Sequence, residues 1–179
     1  TPLGEIRLNC IKFSVPTNPC VCGFYPDRTR CRCTAWEVNR HYGRISRPIL
    51  DRIDISVALQ RVNYDELAGH ADGKKSGYSS GTMSEIVERV WQIQTDRLGS
   101  GRSNSRMTND EIRKFCVLDT DSEKLVRKAY EHYGLSARAY YKILKVARTL
   151  ADIDGMEKIA GEHILEALSY RVKDKGDEQ

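Results

Sequence analysis

Apolar and polar side chains alternate in two stretches of the first third of the chain. In residues 7–15 the apolar side chains recur at about every second position, which is the period of a β-strand, and Pro16 ends the run. The same alternation returns in residues 55–62. The pattern therefore predicts two strands, one on each side of a cysteine-rich segment.

Two short helices are predicted between these strands. Thr34 and Glu37 have the spacing of a capping box, which predicts a helix over residues 35–42. Pro48 stands where a first-turn proline is favoured, so a second helix is expected over residues 47–54.

A polar segment then separates the first third of the chain from the rest. Residues 70–81 are rich in Gly, Ser and Lys and have the composition of a linker. Thr82 and Glu85 form a second capping box, which predicts a long helix that ends near Leu98. After another polar loop, residues 99–106, the chain is predicted to be almost wholly helical.

Helix signals continue to the end of the chain. Asp121 or Ser122 can cap a helix that runs to residue 133, where Gly134 suits a left-handed C-cap. A last helix is predicted over residues 161–172, before a charged tail.

An amphipathic helix is predicted between Ser136, as its N-cap, and Gly155. Its apolar face is expected to belong to the core and consists of Tyr140, Ile143, Leu144, Ala147, Leu150 and Ala151. Its other side is expected to face solvent and carries Arg138, Lys142, Lys145 and Asp152.

The composition is that of a globular protein and argues against a membrane protein. Of the 179 residues 40% are hydrophobic, and no apolar run approaches the ~18 residues that a membrane helix needs. The mean hydropathy is −0.56. The first residues show no secretory signal pattern, so we expect a cytoplasmic protein in a reducing environment.

Positive charge is concentrated in the first third of the chain. Residues 1–62 contain ten Lys and Arg against five acidic residues, whereas the remainder contains nineteen against twenty. Such a surface can face a nucleic acid, a nucleotide phosphate or an acidic partner, or it can simply be solvated.

Four of the six cysteines fall within fourteen residues as two Cys-x-Cys pairs. They are Cys20, Cys22, Cys31 and Cys33. Both sulfurs of a pair can face one cation, so two pairs can complete a tetrahedral zinc site. Cys-x-Cys also occurs in redox and copper sites, and free cysteines are the alternative to a metal site. Cys10 and Cys116 lie in apolar contexts and are expected to be core residues.

The sequence contains no complete nucleotide-binding or hydrolytic motif. Residues 69–76, GHADGKKS, resemble a phosphate loop but are one residue short between the glycines and follow no buried strand. There is no acidic apolar strand of the Walker B kind. The four histidines are scattered, which argues against a metal-dependent nuclease.

Two arginines lie next to predicted helix ends. Arg52 stands between two acids at the end of the predicted helix over residues 47–54, and Arg138 lies in the first turn of the amphipathic helix. Each arginine, taken singly, is typical of a surface ion pair.

Three separated motifs give these arginines a context. They are NPCVCGFYPDRTRCRC (18–33), GRISRPILDRIDISVALQRV (43–62) and LSARAYYKILKVARTLADIDG (135–155) with HILEALSYR (163–171). In these motifs and in their order, the chain resembles the C-terminal half of the Mg-chelatase-like AAA+ ATPases, and within them the ComM/YifB branch.

The resemblance implies roles for three residues. Asn18 matches sensor 1, which orients the attacking water, and Arg138 matches sensor 2, which contacts the γ-phosphate from the lid. Arg52 matches the arginine finger, which reaches the nucleotide of a neighbouring subunit and stabilises charge in phosphoryl transfer. Both arginine roles require a planar guanidinium, so lysine is expected to be a poor substitute.

The resemblance also implies a fold class and a domain organisation. It predicts a mainly α protein with a small β portion (α+β), which is a partial AAA+ α/β core followed by a helical lid bundle. The core with the four-cysteine knuckle covers residues 1–62, a linker and connecting helix cover 63–105, and the lid covers 106–179. The phosphate loop (Walker A) and the acidic strand (Walker B) are expected upstream of Thr1, so this fragment alone is expected to be inactive.

The parent protein is expected to use ATP and Mg²⁺, with structural Zn²⁺ at the cysteines. Its expected partners are the upstream Walker A/B half of its own chain, identical subunits in a hexameric ring, and DNA as the substrate of branch migration or remodelling. One alternative is a Mg-chelatase ATPase subunit proper. Another is a zinc-stabilised helical module that binds DNA or a protein.

Overall fold

The protein is mainly helical. A computed structural model describes residues 16–50, 52–59, 62, 64, 68 and 78–171. Over these residues the chain forms seven α-helices and one 3₁₀ turn, and the β interactions are limited to an isolated parallel bridge between Leu118 and Ile159. The mainly α fold class is therefore confirmed. No described helix is both long enough and apolar enough to cross a membrane.

The predicted small β portion is not confirmed. The first predicted strand, residues 7–15, lies outside the described residues. In the second, residues 55–59 are described and form no strand, and Ile55, Val57 and Leu59 are each more than half exposed. A strand needs a paired neighbour, and the described residues supply none for this segment.

The chain divides into two compact units between residues 49 and 50. In the first unit, helix α1 (Ala35–Tyr42) has the predicted bounds, and helix α2 (Arg47–Leu50) ends four residues before the predicted end. The capping box forms as expected. The Glu37 N–H donates to the Thr34 hydroxyl at 3.2 Å, and the Thr34 N–H donates to the Glu37 carboxylate at 2.7 Å.

The second unit is a helical bundle. Its elements are α3 (Ser80–Leu98), a 3₁₀ turn (Asn104–Arg106), α4 (Asn109–Phe115), α5 (Thr120–His132), α6 (Ala137–Ile153) and α7 (Gly161–Ser169). Helix α6 is central, because α3, the 3₁₀ turn, α4 and α7 all pack against it, while α5 packs against α7. The core contains buried apolar side chains from all five helices, including Leu98, Ile112, Val126, Leu144 and Ile164.

Two helices of the bundle begin at other residues than predicted. Ser79 caps α3, because its hydroxyl accepts the Thr82 N–H at 3.1 Å, so the helix starts two residues before Thr82. Asp119 caps α5 by accepting the Ser122 N–H at 2.7 Å, in place of Asp121 or Ser122. Each segment offers several short polar side chains within one turn, and spacing alone does not select among them.

Other helix ends follow the sequence signals. Ser136 caps α6 by accepting the Ala139 N–H at 3.2 Å. Gly134 after α5 and Gly155 after α6 have φ values of 54° and 69°, in the left-handed region that favours glycine. Helix α7 ends at Ser169 instead of residue 172.

Asp152 departs most from the predicted pattern of α6. It was expected to face solvent with Arg138, but it is 2% exposed, whereas Arg138 is exposed as predicted. Because α3 and the 3₁₀ turn cover the flank of α6, the buried face of this helix is wider than its apolar stripe.

A buried polar network compensates the Asp152 carboxylate. Arg97 of α3 donates hydrogen bonds to both carboxylate oxygens, and its Nη1 lies 2.9 Å from Oδ2. Arg148, one turn earlier on α6, donates from Nε at 3.1 Å and also donates to two main-chain carbonyls of the loop after α6. Asn104 donates from Nδ2 at 2.8 Å. The network therefore ties α3, the 3₁₀ turn and the loop after α6 to the central helix.

Candidate functional site

The four predicted metal ligands converge in the first unit. Their Sγ atoms all lie within 4.8 Å of one another. The Sγ separations are 3.3 Å for Cys20–Cys22, 3.8 Å for Cys20–Cys31 and 3.6 Å for Cys22–Cys31. These separations exclude disulfides between the measured pairs, because a sulfur–sulfur bond is ~2.05 Å long. Thiolates bound at ~2.3 Å around one tetrahedral zinc lie ~3.8 Å apart, so the cluster fits such an ion.

Tight turns bring the two Cys-x-Cys pairs together. The Gly23 N–H donates to the Cys20 carbonyl at 3.1 Å, and Gly23 has a φ of 77°, which a side chain would strain. The Tyr25 N–H points at the Cys20 sulfur, 3.5 Å away. The Cys31 N–H then donates to the Asp27 carbonyl at 2.8 Å, so a second turn returns the chain to the first pair.

The sulfurs differ in their ionisation. Burial raises the pKa of Cys20, but hydrogen bonds from the Tyr25 N–H and from neighbouring thiols outweigh burial and lower this pKa to about 6. Burial, and then the nearby thiols and the negative charge of Cys20, raise the pKa of Cys31. Several thiolates cannot share so small a volume without a cation, so metal binding would release protons from the remaining thiols.

The cysteine cluster is also the core of the first unit. Cys20 and Cys31 are buried with Val38 of α1, and Phe24 and Tyr25 pack against them. Residues 16–49, the described part of this unit, bury few other apolar side chains, and so small a core gives little stability alone. The arrangement is therefore typical of a structural metal site.

Asn18 lies just before the cysteine cluster. Its main-chain carbonyl accepts a hydrogen bond of 2.9 Å from Nε2 of His41, at the end of α1. The Nδ1 atom of His41 is buried and finds no partner among the described residues. The Asn18 side chain is exposed. The backbone before the cluster is thus anchored, while the amide of Asn18 faces solvent.

Both predicted arginine positions belong to the second unit, and both side chains are exposed. Arg138 lies in the first turn of α6, and within the described part of the chain its guanidinium has no hydrogen-bond or ion-pair partner. Arg52 lies in a turn after α2.

Residues 52–56, which we call the Arg52 segment, are held against the bundle at two points. The Asp54 carboxylate lies 2.9 Å from Nζ of Lys142 on α6. The Ser56 N–H donates to the carbonyl of Tyr170, just after α7, at 2.7 Å. The structure therefore attaches the Arg52 segment to the same helix that carries Arg138.

Sequence reasoning missed two ion pairs of this unit, Lys142–Asp54 and Arg148–Asp152. Lys142 was expected to face solvent, but its side chain is only 18% exposed. The spacing of Arg148 and Asp152, four residues apart, was the available signal for the buried network. No signal in the sequence joins Lys142 to Asp54.

Comparison with known proteins gives concordant matches. A family described as magnesium chelatase, subunit ChlI C-terminal, matches residues 77–171, and one described as magnesium chelatase, subunit ChlI, matches residues 10–67. The protein YifB of Salmonella typhimurium is 37% identical over 158 residues, which cover 88% of this chain and 30% of YifB. The competence protein ComM of Haemophilus influenzae is 36% identical over 154 residues, which cover 86% of this chain and 29% of ComM.

A second YifB, from Escherichia coli, is 35% identical over 158 residues, which cover 88% of this chain and 30% of that protein. The chain thus spans less than a third of the length of these curated relatives.

Proposed function

The chain belongs to the magnesium chelatase ChlI family, and from this premise we propose that it supplies sensor 1, the arginine finger and sensor 2 to a ring-forming ATPase. The observation that carries the proposal is Arg138. Its helix is fixed at the centre of the bundle, yet its guanidinium is exposed and unpaired among the described residues. A permanent cation on a rigid support is what the recognition of a terminal phosphate requires.

The chemistry proposed for these residues is electrostatic. Phosphoryl transfer develops negative charge on the transferred group, and positioned guanidinium groups stabilise that charge. Arg138 contacts the γ-phosphate of the nucleotide in its own subunit, Arg52 reaches the nucleotide of a neighbour, and Asn18 orients the attacking water. In this proposal, Mg²⁺ and ATP would be held by a phosphate loop and an acidic strand of the parent ATPase.

We propose DNA as the substrate of the motor, with branch migration or remodelling by a hexameric ring as its work. The support is the similarity to ComM, which is named a competence protein, together with the basic first third of the chain. Phosphate contacts from such a surface would make DNA binding strongly dependent on salt.

We further propose that the four clustered cysteines hold a structural Zn²⁺. The ion would supply a tetrahedral cross-link between the two Cys-x-Cys turns and would thereby stabilise the fold around them. The donor set supports this assignment, since four sulfurs with closed coordination are typical of structural zinc.

Substituting Cys20 is expected to abolish metal binding. Protein purified with reductant from zinc-supplemented medium should contain about one zinc per chain, and the Cys20→Ser variant less than about a tenth of that, because three thiolates leave the site open. Metal analysis by mass spectrometry measures this content. The control is Cys116→Ala, which removes a buried cysteine of the other unit and should leave the zinc content unchanged. A wild-type protein without zinc would contradict the assignment.

Substituting Arg138 tests the ATPase role. In the parent ATPase, Arg138→Ala is expected to lower kcat by about 10²-fold or more, because a preorganised donor to the transferred phosphoryl group is lost. Arg138→Lys should recover less than about tenfold of this loss, since a point charge does not replace the planar fork.

Steady-state ATP hydrolysis measures both Arg138 variants. Arg113→Ala, which removes an exposed arginine of α4, is the matched control and should keep kcat within about twofold. If the kcat of Arg138→Ala stays within a factor of about three of the wild-type value, the proposed role is refuted.

A further inference from the structure

Lys142 is a nearly buried cation, and the negative charge that balances it belongs to a residue outside the bundle helices. Its Nζ atom is buried, and its side chain is 18% exposed. Within the described residues, the carboxylate that pairs with it belongs to Asp54, in the segment that follows α2. A buried ammonium without a counter-charge is strongly unfavourable, so this ion pair fixes the position of the Asp54 main chain against α6.

The ion pair joins the segment that carries Arg52 to the helix that carries Arg138. Lys142 is four residues after Arg138, so both side chains lie on one face of α6, with ~6 Å of helix rise between them. Asp54 is two residues after Arg52, and two residues of extended chain span at most ~7 Å. The Arg52 main chain is therefore held within a short distance of the helix face that carries Arg138.

The Arg52 segment, residues 52–56, buries little of its surface. Ile53 and Ser56 are half-buried, whereas Arg52, Asp54 and Ile55 are exposed. The hydrogen bond from the Ser56 N–H to the Tyr170 carbonyl is a second tether. A segment with so little buried surface opens at low cost, whereas α6 is secured by the core on its opposite face. Loss of the ion pair should therefore shift the Asp54 part of the segment away from α6 and leave the bundle folded.

We propose that the Lys142–Asp54 pair is a positioning device that couples the lid helix to the arginine finger. This inference rests on the proposed roles of Arg52 and Arg138. When Arg138 gains or loses the γ-phosphate, the helical bundle moves as one body with α6, and Asp54 carries the Arg52 segment with it. The nucleotide state of one subunit thereby sets where its Arg52 stands in the neighbouring active site. Lys142 touches no reacting atom and acts through Arg52.

Charge reversal in the assembled parent ATPase tests this coupling. Lys142→Asp and Asp54→Lys are each expected to lower kcat by about tenfold or more, because a misplaced finger loses transition-state contact. The KM for ATP should stay within about threefold, since Arg52 acts on another subunit's transition state. The double variant, which restores an ion pair of opposite polarity, should regain most of kcat.

A surface ion pair with a similar N–O distance provides the matched control. Lys124 and Asp121 on α5 lie 3.0 Å apart, with side chains 67% and 91% exposed. Their single and double charge reversals should each keep kcat within about twofold. Thermal unfolding of every variant verifies that a loss of kcat is not a loss of folding, and the rescue by the double variant is a readout that mere destabilisation would not give.

The outcomes separate this inference from the proposed function. If Arg52→Ala abolishes turnover while the single reversals retain it, or while the double variant regains nothing, the positioning pair is overturned and the finger role stands. If Arg52→Ala retains turnover, the finger role fails and the coupling fails with it. Loss in both single reversals with recovery in the double variant supports the coupling.

Discussion

Replacing Asp152 with asparagine is expected to lower the free energy of unfolding of the helical unit by about 3–5 kcal/mol. The carboxylate is buried between the guanidinium groups of Arg97 and Arg148. Asparagine has nearly the same shape but no charge, so both guanidinium groups would lose their compensation. One carboxylate oxygen, which accepts hydrogen bonds from the arginines, would also be replaced by an amide NH₂ group, which can only donate. The loss of unfolding free energy therefore reports the loss of the balancing charge and not a change in packing volume.

Fluorescence can follow the unfolding of this unit alone. The chain has two tryptophans, Trp36 in the first unit and Trp91 on α3 of the second, so a Trp36→Phe background leaves a reporter of the helical unit. Urea titration in that background gives the free energy of unfolding. The control is Asp96→Asn on the exposed side of α3, which should change this energy by at most about 0.5 kcal/mol. A difference between the two variants below about 1 kcal/mol would contradict the role of the network.

Local signals in the sequence predicted several helix ends correctly. The capping box of Thr34 and Glu37, the N-cap Ser136 and the left-handed Gly134 all depend on atoms within one helical turn. Such interactions are encoded by neighbouring residues and require no knowledge of the fold. The same holds for the four cysteines, because two Cys-x-Cys pairs need only one turn each to face a common ion.

Interactions across the fold left no such signal. Asp152 lies at the edge of the apolar stripe of α6, and its burial depends on α3 and the 3₁₀ turn covering that edge. Asp54 and Lys142 are far apart in sequence and come into contact through tertiary packing alone. Helix α4 (Asn109–Phe115) was not predicted as a separate element, although Thr108 and Glu111 form its capping box. The period-two pattern of residues 55–59 occurs without a described strand.

The proposed catalytic residues could not be identified from their own surroundings in the sequence. Asn18, Arg52 and Arg138 are single polar side chains without periodicity or repeated spacing, and isolated arginines are common on surfaces. The roles proposed for them come from the order of three family motifs. The structure adds that Arg138 is unpaired among the described residues and that the Arg52 segment is tethered to α6.

Replacing Arg52 with alanine is expected to lower kcat of the assembled ATPase by about 10³-fold or more, the effect of removing an arginine finger. The Kd for ATP should change by less than about threefold, because the guanidinium stabilises charge that develops only in the transition state. Hydrolysis assays and equilibrium binding of labelled ATP measure the two quantities. Arg44→Ala, which removes an exposed arginine shortly before α2, should keep kcat within about twofold.

Mixed rings distinguish a finger that acts on a neighbour from one that acts within its own subunit. Subunits with Arg52→Ala keep an intact phosphate site, and subunits whose phosphate-loop lysine is replaced keep an intact finger. Each kind alone should be inactive. A mixture should regain part of the activity, because some intact phosphate sites then stand next to an intact Arg52. An inactive mixture, or an equal loss of ATP binding in Arg52→Ala, would show that Arg52 belongs to the site of its own subunit or supports its structure.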